Sequence, residues 1–388
     1  MAEMGATAPS GAAAVPEDRP MSYSLKPPGR RPRGGSVSLA LATVVTAATV
    51  VPVTILAATG TTPPTTNVAG SADNVVDHVV AISVDGLNPR ALSRLGRART
   101  PAFHRMLGNG ASTRNARTLY ESTSTLPNHT GMLTGRRVTA SRGGHGVSVN
   151  HDPGGTVHDK AGEYVASVFD VVHDGGGATA LYAGKSKFAF FNRSWSSRWG
   201  AADRTGVDNG RDKIDRYVMT ENTSALVDRL RRQLRNSPPE FSLLHLRLPD
   251  AAGHEHGFMS TEYLRAVRRT DTLLGRVLHT IRDKRSLRRH TAVILTADHG
   301  GRGGSHRKLA RLANYRIPFA VWGASTTRGA SLYALNPDRR RPGSSRPTYA
   351  RRQPVRNAEV ANVAADLLDL PAVAGSQLNP LRNLDTRR

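Results

Sequence analysis

Three short clusters of aspartate and histidine interrupt an otherwise apolar pattern, each after a run that reads as a β-strand. Asp85-Gly86 closes the run 78–84 (HVVAISV), and Pro249-Asp250-Ala251-Ala252-Gly253-His254 follows the run 241–246 (FSLLHL). Asp298-His299-Gly300-Gly301 closes the run 291–297 (TAVILTA). Carboxylate and imidazole donors together suit a divalent ion such as zinc. Asp250 and His254 are four residues apart, and Asp298 and His299 are adjacent, as a tight turn can present them. Each cluster alone has an ordinary explanation: Asp-Gly after a strand is usually a turn, and a Pro-Asp loop with a nearby histidine is more often structural. Their common place after strands points to a single site, because open α/β sheets bind ligands at the carboxyl ends of their strands.

The elements that must position these clusters alternate between strand and helix. Thr100-Pro101 opens a helix with a capping hydroxyl and proline at the first helical position. Residues 162–173 read as helix and 177–183 (GATALYA) as a buried strand. Leu226, Leu230 and Leu234 give a helix over 223–235, and 261–282 is amphipathic at helical period. Residues 317–322 (PFAVW preceded by Ile317) read as another strand and 356–368 as a late helix, with an exposed Arg/Pro/Ser-rich loop over 337–352. No internal repeat is visible. The pattern predicts an α/β fold with a mostly parallel central sheet covered by helices on both faces.

Composition narrows the function classes. The chain has 388 residues, enough for a sizeable core, and 38% hydrophobic content. It has no cysteine, which excludes disulfides, thiolate metal sites and thiol nucleophiles. The net charge is +24. The arginines are scattered and aromatics are only 5%, too few for base-stacking platforms, so no specific nucleic-acid partner is predicted. The charge would favour an anionic partner, whether nucleic acid, anionic lipid or a phosphorylated substrate, and an arginine-biased surface is the ordinary alternative.

The N-terminal region reads as an export signal. Residues 1–35 form a disordered basic segment, with Arg30-Arg31 near its end, and 36–58 form an uncharged apolar run. Leu56-Ala57-Ala58 offers small residues for cleavage. A Thr/Pro-rich linker over 59–75 precedes a single α/β domain at 76–388. The expectation is an exported protein, secreted or held at the cell surface by the run 37–58 if that run is not cleaved. Met21 is an alternative start.

In order along the chain, Asp85, Thr125-Leu126-Pro127-Asn128-His129, Asp250-x-x-Gly-His254 and Asp298-His299-Gly300 resemble the motifs of the alkaline phosphatase superfamily. Within it they are most similar to the type I phosphodiesterase/nucleotide pyrophosphatase branch, over roughly residues 76–370. Leu126 stands where that branch has phenylalanine. The resemblance implies an alkaline phosphatase-like fold, a phosphoester hydrolase acting on a small anionic phosphoester, and two zinc ions. It implies that Asp85, Thr125, Asp298 and His299 hold one ion, and that Asp250, His254 and a late histidine hold the other. His306, the single histidine after His299, takes that place; a water or another residue is the alternative. It further implies that Thr125 is the nucleophile, forming a phosphothreonine-type intermediate, and that Asn150, in Gly146-x-x-x-Asn150, binds a phosphoryl oxygen. His129 is expected to be structural.

Three rival readings remain. A sulfatase needs a Cys/Ser-x-Pro-x-Arg motif, and here Thr125 precedes Leu-Pro-Asn. A catalytically inactive cell-surface binding protein would keep the fold and lose the metal. A phosphomonoesterase on the same scaffold is suggested by Lys185 and Lys187. They follow the strand 177–183 and resemble a Lys-x-Arg pair that bacterial phosphomonoesterases of the superfamily place over the phosphoryl group. The alternative is two solvated lysines on a loop.

Overall fold

The computed structural model describes residues 75–203 and 210–387. The expected signal, linker and start-site alternatives lie outside the described residues. Strand β1 (His78–Val84) is followed by α1 (Pro89–Arg99), α2 (Pro101–Asn109), β2 (Ala111–Arg117) and α3 (Thr125–Thr134). Short helices α4 (Val157–Ala161) and α5 (Val168–Asp174) precede β3 (Thr179–Ala183), α6 (Ala189–Ser194) and β4 (Arg216–Met219). Next come α7 (Thr223–Asn236), β5 (Phe241–Leu246), α8 (Leu248–His256), α9 (Thr261–Asp283), α10 (Arg285–His290) and β6 (Thr291–Thr296). The chain closes with α11 (Leu312–Tyr315), β7 (Arg316–Gly323), α12 (Leu332–Leu335) and α13 (Val360–Leu367).

The seven strands form one sheet in the order β2-β7-β6-β1-β5-β3-β4. Pairing is parallel from β6 through β4, and β7 runs antiparallel to both its neighbours. Strands β3, β5 and β6 are buried along their whole length. That matches their near-continuous apolar sequences, as expected where helices cover both faces. Helices α3, α5 and α13 pack together on one face, and α9 carries α1, α2, α7 and α10 on the other. Tyr263, Val267, Leu274, Val277, Leu278 and Ile281 make the buried stripe of α9, and Ser260 caps its start by accepting from the Tyr263 amide. Among the described residues no helix is long and apolar enough to cross a membrane.

Several local expectations are corrected. The helix expected over 162–173 begins later: Gly162 at φ 78° ends the preceding α4, and a capping box between Ser167 and Asp170 starts α5 only at Val168. Thr100 precedes α2 but does not cap it; its hydroxyl donates to the Gly96 carbonyl. The expected strand 317–322 is present as β7 and reverses direction. The late helix opens with a tighter turn, Asn357–Glu359. The arginines are less scattered than the sequence suggests: seven, from Arg99 to Arg282, line a cavity of about 930 Å³ along α9, in the helix layer.

Candidate metal centre

Strand order explains why the clusters meet. β6, β1, β5 and β3 are consecutive neighbours, and their carboxyl ends deliver Asp298, Asp85, Asp250 and Lys185 respectively. Asp85 follows β1 directly. Gly86, at φ 70°, turns the chain, and its amide donates to Asp298 Oδ1 at 3.1 Å. A Cβ at Gly86 would meet Asp250 Cα at 3.0 Å, so glycine is what lets the two aspartates approach. Asp250 was expected in a loop; it lies in the first turn of α8, which places His254 one turn further on the same side. Thr125 is the first residue of α3, all ten residues of which are buried.

The predicted residues converge. Around His299 Nε2 stand Asp298 Oδ2 at 3.2 Å, Asp85 Oδ1 at 3.4 Å and Thr125 Oγ1 at 3.5 Å. Asp250 Oδ1 lies 3.4 Å from His254 Nε2 and 3.9 Å from His306 Nε2, and the two histidine nitrogens are 3.1 Å apart. The His299 and His306 rings stack at 3.6 Å, joining the two groups. Asp85, Asp298, His299 and, separately, Asp250, His299, His306 present donor atoms close enough to share an ion.

Hydrogen bonding fixes which nitrogens are free. His254, His299 and His306 each turn Nδ1 toward a backbone carbonyl, of Gly304 (3.1 Å), Gly300 (2.8 Å) and Thr123 (2.6 Å). A carbonyl only accepts, so Nδ1 carries the proton and the Nε2 lone pair faces the carboxylates. Lone pairs packed against lone pairs repel unless a cation lies among them. The buried oxygens Asp85 Oδ1, Asp250 Oδ1 and Asp298 Oδ2 also have no hydrogen-bond partner among the described residues. Unpartnered buried carboxylate oxygens are costly, and divalent cations held by this set of donors would satisfy them. The residues present therefore fit the two ions that the sequence resemblance implies.

The charges point the same way. Burial pushes the Asp298 carboxyl well up, and the Asp85 and Asp250 charges add to it. Burial also works against Asp85, but Lys185, His245 and His299 outweigh it and hold that carboxyl well below its ordinary range. Burial pushes both His299 and His306 down, the latter to about 2.

Asn150 Oδ1 accepts from the Leu126 amide at 3.0 Å, which leaves its NH₂ group available beside Thr125. Lys187 donates to the Asn150 carbonyl. Lys185 is placed differently from the expectation. Its ammonium lies 2.6 Å from Asp85 Oδ2 and 2.6 Å from Asp250 Oδ2, so it is spent on two carboxylates instead of standing free over a phosphoryl group. His129 is tied at both nitrogens, to the Thr125 carbonyl and the Ser83 hydroxyl, each at 2.8 Å, and holds the start of α3 against β1.

Sequence reasoning missed His245, which is fully buried and places Nε2 2.9 Å from Asp85 Oδ2. The available signal was a single imidazole inside the apolar run FSLLHL.

The family description "Type I phosphodiesterase / nucleotide pyrophosphatase" matches residues 79–362. Ectonucleotide pyrophosphatase/phosphodiesterase family member 1 of Mus musculus is 27% identical over 256 residues, covering 60% of this chain and 25% of that protein. Venom phosphodiesterase 2 of Crotalus adamanteus is 35% identical over 77 residues, 20% of this chain and 9% of that protein. The chain thus spans about a quarter of the length of the first of these relatives. Among solved structures, an inactive form of murine ectonucleotide pyrophosphatase/phosphodiesterase 5 in complex with AMP superposes with a TM-score of 0.53. It is 14% identical, and the match covers 76% of this chain and 96% of that one.

Proposed function

The chain belongs to the type I phosphodiesterase / nucleotide pyrophosphatase family, and from that premise we propose that it hydrolyses phosphodiester or pyrophosphate bonds with Thr125 as nucleophile. The observation that carries this reading is the buried cluster itself, in which Thr125 Oγ1 shares the surroundings of His299 Nε2 with Asp85 and Asp298. Asp85, Thr125, Asp298 and His299 would hold one zinc ion, and Asp250, His254 and His306 the other. Bound there, two such ions supply positive charge for the phosphoryl oxygens and make a hydroxyl and a water nucleophilic at neutral pH. Thr125 Oγ1 attacks phosphorus in line, the bond to the leaving oxygen breaks, and a phosphothreonine results. Water then attacks that phosphorus and returns the threonine hydroxyl. Asn150 turns its NH₂ group toward a non-bridging oxygen, and the Thr125 amide, at the positive end of α3, supports the same charge.

The substrate class follows from charge. Since Lys185 is paired with Asp85 and Asp250, a monoester dianion gains less from it than a free ammonium would give. Diesters and pyrophosphates rank first, with nucleoside-linked ones favoured by the relatives' names and by the AMP complex of the murine structure. Monoester hydrolysis is the second reading, kept by Lys187 beside Asn150. Export is part of the proposal; the relative's designation as an ectonucleotide enzyme supports it, as does the basic-then-apolar order at the N-terminus.

A hydrolysis panel of nucleotide pyrophosphates, aryl diesters and aryl monoesters, run with and without chelator, tests the reading. Chelator-sensitive turnover, fastest on diesters or pyrophosphates, is expected. Turnover of monoesters alone selects the second reading. No turnover of any ester by zinc-loaded protein overturns both and leaves a binding protein on the same fold.

A further inference from the structure

The four histidines nearest Asp85 and Asp250 are of two kinds. His254, His299 and His306 donate through Nδ1 to carbonyls and offer Nε2 as a lone pair. His245 is reversed. The Gly184 amide, which can only donate, lies 3.2 Å from His245 Nδ1. That nitrogen is therefore the acceptor, the proton sits on Nε2, and Nε2 donates to Asp85 Oδ2 at 2.9 Å. His245 is a donor to the cluster where the other three are acceptors.

The two oxygens of Asp85 are divided accordingly. Oδ2 takes His245 Nε2–H and the Lys185 ammonium at 2.6 Å. Oδ1 has no hydrogen-bond partner among the described residues and faces His299 Nε2 at 3.4 Å. A carboxylate pinned at one oxygen presents the other in a fixed direction. The His245 ring is itself immobilised, tilted on Phe188 at 4.4 Å and edge-on to His129 at 5.0 Å. One turn after β3 supplies both restraints, since Gly184 orients the imidazole and the next residue, Lys185, brings the ammonium. Glycine is required there: a Cβ at Gly184 would meet the His245 carbonyl oxygen at 2.9 Å.

We propose that His245 is a positioning residue of the metal centre, holding Asp85 Oδ2 so that Oδ1 is presented to an ion shared with Thr125, Asp298 and His299. The inference rests on the metal-dependent reading above. A buried histidine with two satisfied nitrogens is otherwise a packing residue, and a packing role affects stability without selecting one nitrogen.

Two substitutions separate the two hydrogen bonds. In His245→Gln the side-chain amide nitrogen reaches the place of Nε2 and can still donate to Asp85. In His245→Asn the side-chain oxygen falls near the place of Nδ1, can take the Gly184 amide, and leaves Asp85 without its donor. Metal-free proteins are titrated with zinc in competition with a chromophoric chelator, and folding is followed by thermal melting in the same buffer. His245→Asn is expected to weaken zinc binding by about 10- to 100-fold, with His245→Gln within a factor of a few of wild type. Equal affinity in wild type and the asparagine variant overturns the proposal, as does loss in the glutamine variant alone. A wild-type protein that binds no zinc removes the metal-dependent reading and this role together. If either variant does not fold, nitrogen NMR of the imidazoles in wild type decides. A His245 Nε2–H tautomer kept on zinc binding supports the role, and an Nδ1–H tautomer overturns it.

Discussion

In the proposed two-ion arrangement, replacing His306 by alanine removes one donor from one site and leaves the other site's donors intact. His306 Nε2 stands 3.1 Å from His254 Nε2 and 3.9 Å from Asp250 Oδ1. Its contact with the other group is the ring stack on His299. Structural zinc sites bind with apparent free energies of ~10–16 kcal/mol, which over about four donors is roughly 3–4 kcal/mol each. Losing one such donor weakens binding by a factor of ~10²–10³. With free zinc buffered at about ten times the wild-type dissociation constant, a site roughly 90% full in wild type falls to the order of a few per cent. Zinc per chain, measured by atomic emission after equilibrium dialysis, is expected to drop from near two to near one. The substitution also removes the His306 Nδ1 bond to the Thr123 carbonyl, while the Thr123 hydroxyl keeps its bond to the backbone carbonyl of residue 306, so the loop that carries Thr125 loses one of two ties and turnover falls further than the metal loss alone requires. Unchanged zinc content refutes the assignment of His306, and loss of both ions refutes the division into two sites.

Gly86→Ala is expected to destabilise the fold by at least ~1–2 kcal/mol from the left-handed backbone alone, with the Asp250 contact adding to it; a thermal melt equal to wild type contradicts the close approach of β1 and α8. Lys185→Ala is expected to lower diester and monoester turnover alike, since its ammonium neutralises Asp85 and Asp250; a loss confined to monoesters returns the lysine to the phosphoryl group. Burial holds His145 neutral with its pKa pushed down to about 3, so below pH ~6.5 the unfolded chain takes up a proton that the fold refuses, and stability falls as pH falls, by up to about 1.4 kcal/mol per unit. His145→Asn, whose oxygen can take the Val147 amide that His145 Nδ1 accepts, removes that slope; metal-free unfolding free energies at pH 5 and 7 read it, and an identical pH dependence in both proteins contradicts it.

The parts of the fold legible from sequence are those whose residues carry their own signal. β1, β5 and β6 are largely apolar runs, each followed within a few residues by an aspartate, so both the strands and the candidate ligands after them could be read. β2, Ala-Ser-Thr-Arg-Asn-Ala-Arg, is an edge strand with a polar composition, and its pairing with β7 supplies an order that no local pattern contains. α3 is hidden for another reason: all ten of its residues are buried, polar ones included, so no apolar stripe is set against an exposed face, and Pro127 and Gly131 weaken its helical signal. Pro249 breaks the local pattern of α8 and suggests a loop, yet proline is tolerated in a first turn. The candidate ligands were legible because three Asp/His clusters share one place, after strands. The partners of Lys185 lie 100 and 65 residues away, and that of His245 lies 160 away. Such pairings are set by strand order and do not appear in local sequence.

The most direct test of the central claim is diester turnover by wild type, Thr125→Ser and Thr125→Ala, each zinc-loaded and each after chelation, with folding checked by thermal melting. Zinc-loaded wild type is expected to turn over, the serine variant to keep part of that rate because the hydroxyl remains, and the alanine variant and all chelated proteins to be nearly inactive. A folded Thr125→Ala protein working at the wild-type rate, or undiminished turnover after chelation, would contradict the account.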